Sequence, residues 1–210
     1  MTEIEMFRGA MIGGACGDAL GYPLQELSVC PYFNTSTGPL GLRTLVRNGQ
    51  CGNLAPVTGN TQMELATVDG LLWTDAKKLE EAEGLYRGYM RWFYSQTGEE
   101  PRRGQRTWMR RQPHEREICL VREKFMHARR KPEEGLLNAF SGETMGTTKN
   151  KVNESKGGGA LTRVVPIGLL YAGDSKTAFK CRREGGGFFP FDSCRLLCGR
   201  GGIGTDCLPC

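Results

Sequence analysis

Three places in the chain hold side chains whose type and spacing can do chemistry. The first is the run 57–72, where Thr58, Asn60 and Thr61 gather neutral oxygens at the point where a polar turn becomes an apolar-periodic segment. Hard oxygens at a helix start suit a hard cation such as Mg²⁺, which is normally held through one or two carboxylates as well. Here the carboxylates are missing, because Gly59 has no side chain and Asn60 carries an amide. The second place is Ser155-Lys156-Gly157-Gly158-Gly159, a glycine-rich turn feeding an apolar segment. Bare backbone N–H groups at the positive end of a helix can cradle an anion such as a phosphate. A flexible loop gives the same letters, so the triple glycine alone proves nothing. The third is Asp18, whose plain reading is a capping or packing carboxylate rather than a ligand. No residue presents itself as a nucleophile or general base, so the catalytic residues stay unassigned. His114 and His127, the chain's two histidines, have no acidic or cysteine cluster to partner them.

These groups need helices to position them. Residues 4–20 read as a helix with bulk at Ile4, Phe7, Met11 and Ile12 and little side chain at Gly9, Gly13, Gly14 and Gly17. Each interior glycine costs roughly 1 kcal/mol, which implies close approach by a neighbouring helix or a ligand. Pro23 is expected to stop this helix. Met63, Ala66 and Gly70, with Leu65, Val68 and Leu72, recur at spacings of three and four and predict a helix over 61–72, capped by Asn60 or Thr58. Thr74 is expected to cap the next helix, over 76–95, whose stripe of Leu79, Ala82, Tyr86, Tyr89, Met90 and Phe93 reads as core. Further helices are expected over 114–130, ended by Pro132, and over 163–172. Residues 28–57 read as a long loop with room for short strands around 40–46, and 136–143 as a lead into a polar loop.

Composition narrows the class. At 210 residues the chain suits one domain with a substantial core. A net charge of +5 spread over many residues of both signs does not call for nucleic acid. The arginine-rich stretch 97–112, with Trp108 inside it, could be imagined as an RNA-binding segment but reads better as a solvated connection. No apolar run approaches a membrane span, so no membrane partner is expected. The start, Met1-Thr2-Glu3-Ile4-Glu5, lacks the basic region of a signal peptide, which points to the cytoplasm and reduced thiols.

The motifs also carry a resemblance. Gly17-Asp18-Ala19-Leu20-Gly21-Tyr22-Pro23 is similar to the G-D-A-x-G-x-P opening of the ADP-ribosylglycohydrolase family, of which the dinitrogenase reductase activating glycohydrolases are members. Gln25 stands where that family usually has glutamate, with Glu26 beside it. Thr58-Gly59-Asn60-Thr61-Gln62-Met63 resembles the family's S/T-D-D-T metal motif with both aspartates replaced. The stretch 153–169 resembles N-S-K-G-C-G-x-x-M-R-x-A-P-I-G-L, with Gly158 and Thr162 in place of the cysteine and methionine. Three motifs in the right order, from about Phe7 to Ala172, make chance agreement implausible.

The resemblance implies an all-α, orthogonal helix bundle over 1–172, incomplete in this chain, followed by an atypical Gly/Arg/Cys-rich tail over 173–210. That tail is expected to dock poorly and to represent a shifted reading frame or a truncation. Zinc binding by Cys194, Cys198, Cys207 and Cys210 is the lesser reading, since the spacing is short and no histidine joins it. By the same resemblance, Ser155, Lys156, Gly157, Gly158 and Gly159 would bind the diphosphate and ribose of ADP-ribose. Two Mg²⁺ ions would activate water against an ADP-ribosyl bond on a modified protein or small acceptor. Thr58, Gly59 and Asn60 are the degraded remains of the first metal motif, and the second, an aspartate motif, is absent from the chain. The expectation is therefore a glycosidase-type hydrolase impaired in this copy, with Mg²⁺ weak or absent. The alternatives are an inactive ADP-ribose-binding module and a non-functional fragment or scaffold.

Overall fold

The computed structural model describes residues 2–25, 56–110, 112–116, 118–142, 144–146, 152, 159–178 and 181, and among them every regular element is helical. In chain order these are α1 (Glu3–Gln25), α2 (Gly59–Lys77), α3 (Glu81–Thr97), three 3₁₀ turns (Pro113–Glu115, Leu120–Arg122 and Lys124–His127), α4 (Glu134–Ser141), α5 (Gly159–Thr162) and α6 (Val165–Leu170). The all-α expectation holds. The strands expected around 40–46, Glu26, and the cysteines Cys194, Cys198, Cys207 and Cys210 lie outside the described residues.

The core is organised on α2 and α3, whose backbones touch. A Cβ placed on Gly88 would fall 2.5 Å from the Ala66 carbonyl, and one on Gly70 would fall 2.8 Å from Leu85 Cα. Glycine is the residue that allows helix axes to approach this closely. The expected aromatic stripe of α3 faces inward: Tyr89, Met90 and Phe93 are all at least 98% buried, their exposures being 1%, 0% and 2%. They meet Phe140 of α4 and Ile167 of α6 in one apolar cluster, with the Tyr89 and Phe140 rings 5.6 Å apart. Burying each large side chain of this kind contributes roughly 1.5–3 kcal/mol.

Several boundaries differ from expectation, each for a physical reason. Pro23 does not stop α1, which continues to Gln25; a proline this near a C-terminus forfeits a single helical hydrogen bond. Thr74 is not a cap. It lies inside α2 and donates its hydroxyl proton back to the Gly70 carbonyl at 3.0 Å, while Lys78 ends the helix in a left-handed conformation at φ 52°. The expected helix over 114–130 is replaced by the 3₁₀ turns. There, side chains from the core take the carbonyls that a helix would have used. Gln62 Nε2 donates to Phe125 O and Ala128 O, and Ser95 and Gln96 both donate to Met126 O. Residues 134–141, read as a lead into a loop, form α4, with Leu136, Leu137 and Phe140 buried. The tail was expected to dock poorly from about 174, yet Cys181 is 2% exposed and belongs to the core cluster.

A buried charge network ties α3 to the segment that follows it. Arg91, inside the aromatic stripe, donates to Asp69 Oδ2 at 3.0 Å and to Glu115 Oε1 at 2.5 Å. Burial works to raise the Glu115 carboxyl, but bonds from Arg91 and the Gln112 backbone prevail and hold it below its usual range. His114 Nε2 lies 2.9 Å from Asp69 Oδ1, so this histidine does have an acidic partner, one 45 residues away in sequence. It is part of the scaffold.

Candidate site at the start of α2

The polar side chains singled out in the first 61 residues converge on Asp18. Its carboxylate accepts from Thr58 N at 2.7 Å, Thr58 Oγ1 at 2.6 Å and Thr61 Oγ1 at 2.7 Å, with longer contacts of 3.4 Å from Thr61 N and from Asn60 Nδ2. Thr58 is also the N-cap of α2, accepting from Asn60 N at 3.2 Å. The arrangement follows from helix physics. The first N–H groups of α2 have no partners within the helix, and a carboxylate at that positive end is favoured by hydrogen bonding and by the macrodipole. Asp18 is a cap supplied by another helix, in keeping with its plain reading.

Glu64 stands one turn further along α2, and spacing alone gave no signal for it. It is 9% exposed and lies against α1 at Gly14, where an added Cβ would fall 3.2 Å from Glu64 Oε2. Burial first, and the Asp18 charge second, push its carboxyl up from 4.5 to about 6. Of the α1 glycines, Gly14 is the one at which a neighbour approaches; at Gly9, Gly13, Gly17 and Gly21 an added Cβ would meet nothing within 4 Å among the described residues.

Gly59 is enclosed by backbone. A Cβ there would sit 3.0 Å from Pro132 Cα and 3.5 Å from Lys131 O, and Gly59 N donates to Arg130 O at 3.0 Å. Asn60, by contrast, is exposed. Ser155, Lys156, Gly157 and Gly158 lie outside the described residues. Gly159, the last of that group, opens α5 and packs on Glu133 and Leu136, whose side-chain atoms would meet an added Cβ at 1.7 and 2.8 Å. Pro132 and Glu133 thus stand between the two motifs, one against Gly59 and the next against Gly159. Far-apart stretches are brought together through a segment that no motif marked.

The donor set can be tested against a pair of Mg²⁺ ions, and it does not fit. Thr58 and Asn60 offer neutral oxygens, Gly59 offers none, and the Asp18 carboxylate is already taken up by five donors. Among the described residues no three His, Cys, Asp or Glu side chains gather in a manner that could hold a metal. A hard dication that gives up water needs compensating negative charge, and beyond Asp18 the carboxylate at hand among the described residues is Glu64, which burial and the Asp18 charge push toward its neutral form. What this arrangement can do is fix α1 to the start of α2.

The sequence model of the ADP-ribosylglycohydrolase family matches residues 1–186. The match covers all three motifs and reaches past Ala172 into the first part of the Gly/Arg/Cys-rich tail. Comparisons with curated proteins and with solved structures found no match.

Proposed function

Because the chain belongs to the ADP-ribosylglycohydrolase family, we propose that it derives from a Mg²⁺-dependent hydrolase of ADP-ribosyl bonds and that this activity is impaired in this copy. The observation that carries the reading is Asp18, whose carboxylate is filled by the hydroxyl and amide donors of the degraded motif. In place of a charged ion site, Asp18, Thr58 and Thr61 form a structural tie. The backbone of Pro132 beside Gly59 adds to this, since a Cβ at position 59 would sit 3.0 Å from Pro132 Cα and press that segment outward. An ADP-ribosylated protein or free ADP-ribose is the partner class, the glycine-rich turn Ser155–Gly159 the part that would meet its phosphates, and the cytoplasm the expected compartment.

The test is release of label from an ADP-ribosylated acceptor by the full chain, with and without Mg²⁺. Release at background in both conditions is expected. Mg²⁺-dependent turnover would sink the impaired-enzyme reading. Calorimetry with ADP-ribose in the same buffer tells whether binding survives the loss of chemistry.

A further inference from the structure

The arginine-rich stretch set aside as a solvated connection does not simply run through solvent. Arg102 donates to the Gly142 and Ser141 carbonyls at the end of α4, and Thr107, Trp108, Arg110 and Gln112 lie beside Trp73 and Lys77 at the far end of α2. A cleft of about 820 Å³ lies there, lined by Lys77, Arg87, Arg110 and Arg116 together with Trp73 and Trp108. Among the described residues no carboxylate lines it. Position 73 is fifteen residues along α2 from Thr58, or roughly 22 Å at the helical rise, so this is not the Asp18 site.

We propose that this cleft binds a small phosphate-bearing anion. Lys77, Arg110 and Arg116 stand around one concavity with the Glu83-paired Arg87, and an anion there gains their focused positive field. The cleft's size suits a nucleotide-sized ligand. Arg87 is held in place rather than mobile: it pairs with Glu83, and its guanidinium carbon lies 5.5 Å from the centroids of both tryptophan rings. Two more lining residues can donate, while Gln112 also lines the cleft with an amide. Trp73 Nε1 is buried with no hydrogen-bond partner among the described residues, and an indole N–H can only donate. Thr107 adds a hydroxyl. Guanidinium forks and an ammonium match phosphate oxygens well.

The experiment is calorimetry on the full chain with inorganic tripolyphosphate, pyrophosphate, ADP and adenosine, using the native protein, the double variant Lys77→Gln/Arg110→Gln and Asp18→Asn. Lys77 and Arg110 are exposed, so the double variant should fold, which its thermal melt checks. The expected result is binding of tripolyphosphate but not adenosine, at least tenfold weaker in the double variant and unchanged in Asp18→Asn. Tighter binding of ADP than of pyrophosphate, weakened tenfold in the double variant, would identify a nucleotide as the source, and equal binding weakened in the same way would identify the phosphates alone; both support the site, whereas ADP binding that the double variant leaves unchanged overturns it. No heat from tripolyphosphate overturns the proposal. So does unchanged affinity in the double variant, or binding of a single-stranded RNA twelve-mer without binding of tripolyphosphate.

Discussion

Glu64 shows how one side chain can be perturbed at the place where α1 meets the start of α2. Its carboxyl is raised to about 6 by burial and by the Asp18 charge, so the folded state keeps its proton to a higher pH than the unfolded chain does. A carboxyl raised in this way contributes stability that is fully present below the unfolded value of 4.5 and is lost as pH rises through about 6. Glu64→Gln keeps the shape and removes the charge. Urea unfolding of the native chain should therefore weaken relative to Glu64→Gln between about pH 4.5 and 6. Solvent reaching the carboxylate screens the effect to roughly 1 kcal/mol. Parallel pH profiles for the two proteins would show that Glu64 is not strained by ionisation. The letters did reveal that this region is polar and starts a helix. They did not reveal Glu64, because its perturbation comes from α1, fifty residues earlier in the chain.

At the scale of elements, α2 and α3 are the rigid pair to which everything else is attached. Their contact depends on Gly70, Gly84 and Gly88, where added Cβ atoms would fall 2.8, 1.9 and 2.5 Å from the nearest atoms. Two of those obstacles are backbone, which cannot rotate away. Gly88→Ala should thus cost about 2–3 kcal/mol, even though alanine is the better helix former by roughly 1 kcal/mol. A chemical-denaturation midpoint equal to or above that of the native chain would refute the backbone-contact account. The helical period of both elements was legible, because apolar residues recur at three and four. The role of the glycines was not, since a sequence shows a missing side chain without showing what occupies its place.

At the scale of the molecule, α1 makes few side-chain contacts with the described part of the core. It spans 23 residues, yet of its described side chains Ala19, at 8% exposure, is the one counted as buried, while Ile4 and Ile12 are each 64% exposed. Among the described residues Asp18 carries its side-chain hydrogen bonds to α2, with Gly14 packed on Glu64 beside it, and hydrogen bonds to a charged group are worth roughly 1.5–3 kcal/mol. Asp18→Ala should lower global stability by about 2 kcal/mol or less. Hydrogen exchange should show α1 amides losing protection while α2 and α3 retain theirs, the pattern of a locally opening unit. Equal loss in all three helices would mean that α1 is integral to the core. The all-α class, the family and the three motifs were determined by the sequence alone, because each is a local property of residue type and spacing. Only the tertiary structure decided that 114–130 is not one helix, since carbonyls claimed by Gln62, Ser95 and Gln96 leave no continuous helical ladder. Only it decided the role of Asp18 as well. The donors that its carboxylate accepts from lie forty or more positions away in sequence, which local spacing cannot show.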